Sequence, residues 1–468
     1  MNRVRPLLNA LCVAGIGALL SGSATAAVTA QEAEALGTTL TEFGAEKAAN
    51  ADGSIPAYAG GLKSVPGYTS GADHYVDPFK DEKPLFSVDA SNAAQYDAVL
   101  TESTRALIKK FPDYRIDVYP SHRTTYYPQW QLDNTKKNAT TVKLVGAVKG
   151  DSLSGAAADG LPFAGIPFPI PKDAYEVMWN HKMAFGHAVE HQRSQAYLID
   201  ASGSPTALPV PDEYFVYPWA DKDPETRKKT FDATFGFSSL LVAPPSSAGI
   251  VFLNWYLPTA VDEGQKVWFY TPGQRRVRRA PEFAYDIPIA AYGGCLVWDE
   301  IFGLVGRLDR YDFTLVGKKE MLVPYNVFKV TNTMPAKETL GKKHMNPDAL
   351  RFEKHRVWVV EANLKPGARH AYKKRRFYVD EDSWRIVSLA SWDEAGNLWR
   401  VADLWTFPTY DVGGVNNSSW TFNDLIKGNY FIINMGHGDP GFFVKTYASA
   451  AGLDIHLTAD AVAAGSVR

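Results

Sequence analysis

Residues 187–191 read HAVEH, which has the residue types and spacing of a zinc-peptidase motif. In this H-x-x-E-H pattern a helix presents two histidine ligands one turn apart, and the glutamate activates a water molecule. Gly186 and the strand-like residues from Gln195 onwards argue against a helix, and no third ligand on a second helix follows. We therefore expect a polar turn or strand edge without a bound metal. A zinc-dependent hydrolase would use His187, Glu190 and His191.

A second possible catalytic motif is GDSL at residues 150–153, the nucleophile block of one class of esterases. That class also needs an α/β sheet and a D-x-x-H pair near its end, whereas Asp454 and His456 have the wrong spacing. The sequence contains no G-x-S-x-G, Walker A or dinucleotide-binding glycine fingerprint. Because no catalytic constellation is complete, we expect a protein that is not an enzyme and needs no cofactor.

The densest basic cluster contains Arg275, Arg276, Arg278 and Arg279. On a strand these side chains would alternate between the two faces. They would then be able to contact anionic headgroups or an acidic partner. Edge strands commonly carry charged side chains that prevent pairing with another chain, so a solvated strand edge is the favoured interpretation. The same two interpretations apply to residues 373–376, which read KKRR.

The aromatic content, 12 Trp, 23 Tyr and 24 Phe, suits both strands and binding surfaces. In a curved sheet, some of these side chains would line an apolar cavity on the concave face. Most aromatic residues of a β protein are ordinary core, and the sequence does not select which face is concave. The candidates for cavity lining are Trp255, Tyr256, Trp268, Tyr270, Trp298, Trp358, Phe377 and Trp384.

The first 26 residues predict a secretory signal peptide: Arg3 and Arg5 precede an apolar run and a small-residue cleavage site at 24–26. We expect a mature chain that begins at Ala27 and lies in the periplasm, free or associated with the outer membrane. Its single cysteine, Cys295, excludes an intramolecular disulfide. No later apolar run approaches the roughly 20 residues of a membrane helix. The mature net charge of about −4 is not that of a nucleic-acid-binding protein.

Strand patterns dominate the second half of the chain. Residues 350–405 alternate with a two-residue period between turns at 380–383 and 393–397, which predicts an antiparallel meander. Earlier strand-like runs cover 195–200, 213–219, 229–237, 250–257 and 265–270. An open sheet of so many strands tends to curl, and its concave side must be filled by helices or by a ligand.

These elements predict a mainly β (α+β) protein built on one large, open antiparallel half-barrel. We expect helices at 91–111 and 173–183 to cover its mouth. The predicted organisation is a signal peptide at 1–26, an extended arm with a helical segment at 27–139, the curved β domain at 140–409, and a wrapping C-terminal tail at 410–468.

Three segments resemble a known family. They read ALGTTLTEFGAEKA with DGSIP near residues 35–56, YPQW with NTKKNA at 127–139, and GIPFPIP at 165–171. Together they look like the Gram-negative exported proteins called domain of unknown function 1329. That family is in turn similar to LolA and LolB, the carrier and acceptor of outer-membrane lipoproteins. Here the similarity falls on VWFYTP at 267–272, on 276–279 and on the 350–405 meander.

The resemblance implies a curved half-barrel whose apolar concave face, covered by helices, shelters acyl chains. It also implies envelope transport beside an inner-membrane exporter of the resistance-nodulation-division type and an outer-membrane barrel. The predicted function is therefore a periplasmic carrier for a hydrophobic small molecule or lipid. The alternatives are a structural adaptor of such an exporter, which binds no ligand, and a zinc-dependent hydrolase.

Overall fold

The computed structural model describes residues 28–184, 186–223, 234–257, 265–274, 276–280, 285–289, 292–436, 438–455 and 457–460. The predicted signal peptide lies outside these ranges. The α-helices are α1 Ala30–Ala33, α2 Ala93–Tyr96, α3 Glu102–Lys110, α4 Gln129–Thr141, α5 Ala174–Met183 and α6 Ala336–Thr339. In the described ranges, no helix has the length and apolar character needed to cross a membrane.

The strands are short and numerous. In chain order they are β1 Phe86–Val88, β2 Ile116–Val118, β3 Lys143–Val145, β4 Ser152–Ser154, β5 Val189–Arg193, β6 Gln195–Ile199, β7 Pro205–Ala207, β8 Val210–Val216, β9 Phe235–Ala243, β10 Val251–Tyr256, β11 Gln265–Thr271, β12 Arg276–Arg279, β13 Tyr311–Pro324, β14 Phe352–Leu364, β15 Lys374–Asp380, β16 Ile386–Trp392, β17 Leu398–Leu404, β18 Phe407–Pro408, β19 Val415–Asn416, β20 Trp420–Asp424, β21 Asn429–Met435 and β22 Phe443–Tyr447.

Two large sheets contain most of these strands. The first has 11 strands in the order β1-β2-β14-β15-β16-β17-β20-β21-β6-β7, with β13 also paired to β14. The second has seven strands in the order β12-β11-β10-β9-β8-β5-β22. Apart from one parallel contact between β2 and β14, the pairs within both sheets are antiparallel, and neither sheet closes into a barrel. The mainly β, open, antiparallel fold class is thus confirmed, but its strands are shared between two sheets.

The meander of β14 to β17 forms the centre of the larger sheet, as its two-residue alternation predicts. Phe377 pairs with Leu389 and Leu389 with Ala402, so these three side chains share one face. The neighbouring Ala390 and Val401 share the other face and are equally buried. Because both faces are apolar, both must be covered by other elements.

The two predicted covering helices lie on opposite faces of this sheet, which corrects the expectation that both cover one mouth. Helix α3 packs with Ala390 and Val401 through Leu107 and Ile108. Helix α5 packs on the other face, the side of Leu389. The predicted 91–111 helix is also interrupted, because Thr101 caps α3 by accepting a hydrogen bond from the Thr104 amide.

Helix α4 was not predicted, because it has no apolar stripe. Its buried side chains are largely polar and bind the proline-rich segment that follows: the Asn138 amide donates to the Phe163 and Ile166 carbonyls, and Thr135 Oγ1 accepts from the Ile166 amide. Proline lacks an amide hydrogen, so a chain rich in proline depends on such side-chain partners. This explains how the GIPFPIP segment is held without regular structure.

The N-terminal arm is extended, as expected, and it is packed rather than loose. Between α1 and β1 it buries Phe43, Ile55 and Tyr75. The C-terminal segment differs from the expected tail, because β20 and β21 are inner strands of the larger sheet and β22 is an edge strand of the smaller one. Apolar residues alternate over 420–424, and residues 430–433 read YFII, a continuous apolar run typical of a strand that is buried on both faces. Only the last described residues, around Leu453 and Leu457, pack over the outer face of the seven-stranded sheet.

Candidate functional site

An apolar cavity of about 270 Å³ lies between the two sheets. One wall is the inner face of the seven-stranded sheet, and the other is formed by β20, β21 and the loop that precedes β13. The lining residues are Pro209, Pro211, Glu213, Phe215, Phe237, Ser239, Leu241, Phe252, Pro288, Ile289, Tyr292, Trp298, Ile301, Trp420, Ile433 and Asn434. Proline, aromatic and aliphatic side chains predominate, so the cavity is suited to a hydrophobic ligand.

Cross-strand pairing explains the first wall. Glu213 of β8 pairs with Ser239 of β9, and Ser239 pairs with Phe252 of β10. Phe215 and Phe237 pair two residues further along. Directly paired residues project on the same side of a sheet, so these five side chains face the cavity together.

The second wall depends on a 3-10 segment, Trp298–Gly303, that lies on the larger sheet. It places Trp298 and Ile301 at the cavity. Next to them, Phe302 packs its ring 5.6 Å from that of Phe215 and 5.2 Å from that of Trp420. Phe302 has φ +53°, a conformation that a bulky residue adopts only when its surroundings impose it. The segment must therefore be held firmly by neighbouring groups.

Buried charges hold this segment. Asp299 Oδ2 lies 3.0 Å from Arg375 Nη1 and 3.0 Å from His370 Nε2. Although burial opposes it, the Arg375 and His370 charges hold the pKa of Asp299 below its usual value. The next residue, Glu300, accepts hydrogen bonds from the Tyr372 hydroxyl and from the Val297 amide. These interactions fix the segment against Arg375 of β15 and the residues just before that strand; Arg375 is fully buried, so the solvated edge predicted for residues 373–376 is wrong at this position.

Glu213 is the polar feature of the first wall. Its side chain is almost fully buried, and its Oε2 accepts a hydrogen bond from Gln192 Nε2 at 3.1 Å. Burial raises the pKa of Glu213 to about 7; the Glu190 and Asp212 carboxylates add to the rise, and hydrogen bonds from Ser239 and Gln192 oppose it. Near neutral pH this carboxyl is therefore poised between its two protonation states.

This raised pKa predicts a pH-dependent stability. The Glu213 pKa rises from its ordinary 4.5 to about 7 on folding, so its stabilising contribution is complete below pH 4.5 and is lost as the pH rises through 7. Glu213→Gln removes this titration. We expect the stability of the variant relative to wild type to increase by up to about 3 kcal/mol between pH 4 and pH 8, measured by urea unfolding. If the stability difference between Glu213→Gln and wild type were the same at pH 4 and pH 8, Glu213 would not be a buried carboxyl without a compensating charge.

The eight aromatic candidates lie in four different places. Trp298 lines the cavity, and Tyr256 lines a smaller crevice of about 20 Å³ beside Lys182 and Arg385. The residues Trp255, Trp268 and Tyr270 lie on the outer face of the seven-stranded sheet. Trp358, Phe377 and Trp384 pack in the core on the larger sheet. Their contact with a ligand stays a prediction, and the structure does not bring the eight together.

The HAVEH segment is not helical, so it lacks the geometry of the zinc-peptidase motif, but the expected polar turn or strand edge is wrong as well. Residues Val189–Arg193 form β5, an inner strand between β8 and β22. Glu190 faces the inner side with Phe215, whereas His191 faces the outer side, where its Nε2 lies 2.7 Å from Asp212 Oδ1. His187 Nε2 lies 3.6 Å from Glu190 Oε2. In the described ranges no group of three or more His, Cys, Asp or Glu side chains is placed to hold a metal.

The basic cluster lies at the edge of the seven-stranded sheet. Arg276, Arg278 and Arg279 are exposed on β12, which is the end strand of the sheet in the described residues and pairs with β11. Arg275 lies outside the described residues. This position agrees with a solvated edge that discourages pairing with another chain. Contact with headgroups or a partner stays a prediction. Cys295 is buried, and burial raises the pKa of its thiol.

Sequence reasoning missed most of the cavity. On β8, Val210 and Val216 are apolar neighbours of the inward-facing Pro211 and Phe215, and the inward Glu213 is charged, so the pattern does not mark the inner face. On β10, however, Phe252 alternates with Val251 and Leu253, so both faces are apolar and neither is marked as inner. Trp420 and Ile433 were missed because residues 410–468 were assigned to a tail.

The fold and the cavity define a mainly β protein with an apolar, ligand-sized space between two open antiparallel sheets. The chain belongs to the family described as Protein of unknown function (DUF1329), whose model matches residues 87–462. It is 38% identical over 435 residues to "Uncharacterized protein PA3922" of Pseudomonas aeruginosa, covering 92% of this chain and 93% of that protein.

The solved structures to which the chain is similar are more distant. A DUF1329 family protein from Desulfovibrio piger is 13% identical, with a TM-score of 0.41, and covers 62% of this chain and 97% of its own. A putative outer membrane lipoprotein-sorting protein domain from Vibrio parahaemolyticus is 10% identical, with a TM-score of 0.40 and the same coverage. A LolA superfamily protein from Nitrosomonas europaea is 9% identical, with a TM-score of 0.33, covering 59% of this chain and 92% of its own.

Proposed function

We propose that the protein binds one hydrophobic molecule in the cavity between its two sheets and carries it through the periplasm. The observation that supports this most directly is the cavity itself, an apolar space of about 270 Å³ inside a protein of this size. Concave, mostly apolar spaces with few polar groups are the usual binding sites of small hydrophobic ligands.

The volume limits the cargo. Small-molecule pockets typically span about 300–1,000 Å³, and this cavity lies just below that range. It suits a single chain or a ring system rather than several acyl chains. Each CH₂ group removed from water contributes about 0.8 kcal/mol, so one chain of moderate length binds without elaborate polar recognition.

The position of the cavity suggests how a ligand enters. Pro288 is exposed, and Pro209 and Leu241 are half-buried, so this end of the cavity approaches solvent. The opposite end is closed by Trp420 and Ile301, which are buried. A chain entering beside Leu241 would extend toward Trp420 and leave its polar end near Glu213 or outside.

The test is a titration with the neutral fluorescent probe N-phenyl-1-naphthylamine, whose emission rises in apolar surroundings. Wild type should show a saturable signal. Leu241→Trp narrows the cavity mouth, and we expect it to weaken binding at least about tenfold, the equivalent of roughly 1.4 kcal/mol. Leu240→Trp is the matched control, because Leu240 lies on the same strand, is exposed and does not line the cavity.

Three outcomes separate the alternatives. Equal binding by the two variants would place the probe outside the cavity. The absence of saturable binding to wild type would contradict a carrier and favour the structural adaptor. Mass spectrometry of organic extracts from gently purified protein, beside a refolded control, would identify a natural cargo. A metal analysis of the same sample that found stoichiometric zinc would favour the zinc enzyme.

The periplasmic location in this proposal is supported by the predicted signal peptide, which begins with Arg3 and Arg5. The proposed work with an inner-membrane exporter and an outer-membrane barrel follows from the family resemblance of the sequence. Co-purification from cross-linked cells, with Arg278→Glu on the exposed β12 edge as a variant, would test whether that edge contacts such a partner.

A further inference from the structure

Glu213 distinguishes this cavity from a simple hydrophobic pocket. Among the described residues that line it, Glu213 is the only one with a charged side chain, and no lysine, arginine or histidine joins it there. Its hydrogen-bond partners are the uncharged Gln192 and Ser239. In the described part of the chain no cation forms an ion pair with its carboxylate.

The surroundings of Glu213 increase the negative potential in the cavity. Glu190 on the neighbouring β5 faces the same side and accepts a hydrogen bond from Asn416. Asp212, the preceding residue, lies on the other face and is paired with Arg193 and His191. Tyr292 lines the opposite wall and is neutral, since burial and the charge of Glu213 raise the pKa of its hydroxyl. Glu190 has His187 Nε2 at 3.6 Å and lies within electrostatic reach of Arg385, whereas among the described residues that line the cavity no cationic side chain accompanies Glu213.

A buried carboxyl without a cation is costly when ionised, and it becomes neutral unless a partner compensates its charge. A ligand that brings a positive charge and an N–H donor would meet this need through a charge-assisted hydrogen bond in surroundings of low polarity. A ligand with an anionic headgroup would instead add a second negative charge beside Glu213 and be repelled.

We propose that the cargo is a hydrophobic molecule that carries a protonated amine, and that this amine pairs with the Glu213 carboxylate inside the inter-sheet cavity. The inference rests on the proposed carrier function and narrows its ligand class. The apolar walls hold the hydrocarbon part, and Glu213 selects cationic over anionic amphiphiles. Fatty acids and anionic lipids are therefore poor ligands.

The experiment compares three probes of equal chain length, dodecylamine, dodecanol and dodecanoate, as competitors of N-phenyl-1-naphthylamine at pH 8. In wild type we expect dodecylamine to displace the probe at a concentration at least about tenfold lower than dodecanoate does, with dodecanol between them. Glu213→Gln keeps the size and hydrogen bonding of the side chain but removes its charge, and in it the three competitors should become nearly equal.

Asp212→Asn is the matched control, because Asp212 is adjacent on the same strand but faces away from the cavity. It should keep the preference for the amine. Equal displacement by all three probes in wild type, or an amine preference that survives in Glu213→Gln, would overturn the inference while the carrier function stands. Wild type that fails to bind N-phenyl-1-naphthylamine would overturn the carrier function and this inference together.

Discussion

Asp299→Ala is expected to lower the free energy of unfolding by about 3–5 kcal/mol, the usual cost of breaking a buried ion pair. The reason is the partner left behind: Arg375 is 0% exposed, and without Asp299 it loses its ion pair and keeps a hydrogen bond from Nη2 to the Gly303 carbonyl at 3.2 Å and the attraction of the Glu300 carboxylate. Urea unfolding followed by tryptophan fluorescence measures the loss.

Asp299→Ala should also affect binding, because Asp299 follows Trp298 and precedes Ile301, both of which line the cavity. Loss of the ion pair frees the 3-10 segment, and we expect weaker binding of N-phenyl-1-naphthylamine under conditions where the variant is still folded. Stability and binding thus depend on one buried pair that joins the cavity wall to the larger sheet.

Two further variants test whether the unpaired Arg375 causes the loss of stability in Asp299→Ala. Asp312→Ala removes an exposed aspartate from β13 and should change stability by less than about 0.5 kcal/mol. Asp299→Ala combined with Arg375→Met removes both charges. It should recover a large part of the lost unfolding free energy, because methionine leaves no unpaired charge in the buried position. A double variant as unstable as the single one would show that an unpaired arginine is not the cause.

Trp384→Ala is the second large effect, expected to cost about 3–5 kcal/mol through the loss of buried area and the cavity that remains. Trp384 is 0% exposed, stacks against Trp358 with ring centroids 6.2 Å apart, and donates from Nε1 to the Phe43 carbonyl at 2.8 Å. This hydrogen bond ties the N-terminal arm to the larger sheet. Calorimetry or urea unfolding measures the cost.

The arm provides a second readout for Trp384. Phe43 packs on Tyr58, with ring centroids 5.3 Å apart, so loss of Trp384 should speed amide hydrogen exchange across residues 43–58. Trp384→Phe keeps an aromatic ring in the core but loses the hydrogen bond and part of the buried volume, so it should cost about 1–3 kcal/mol, less than Trp384→Ala. If Trp384→Ala left the arm as protected as in wild type, the arm would be held by its other contacts.

Trp384 also separates a core role from a ligand-binding role among the aromatic candidates. It does not line the inter-sheet cavity, whereas Trp298 does. Replacement of Trp384 should therefore act on stability, and replacement of Trp298 on probe binding. Both residues are tryptophan, so the residue type does not distinguish them. Their positions in the fold give them different roles.

The strands were the most predictable part of the fold. Their two-residue alternation is a local property, so the meander over 350–405 and the strands at 195–199, 251–256 and 265–271 could be placed from residue types alone. Helix α4 was not predicted because the side chains on its buried face are largely polar and form no apolar stripe. Strands β20 and β21 were not predicted because they follow a glycine-rich stretch that is typical of a tail.

The sequence by itself determined a mainly β, antiparallel chain. It also predicts one open half-barrel and a secretory leader, and its segments at 127–139 and 165–171 lie within the residues that the family model matches. Only the tertiary structure decided which faces are inner, because strands such as β10 are apolar on both sides and alternation cannot rank them. It also showed that Glu213, Trp298 and Trp420 come together from three distant segments. The site is a product of sheet packing, which brings residues far apart in the chain to one cavity.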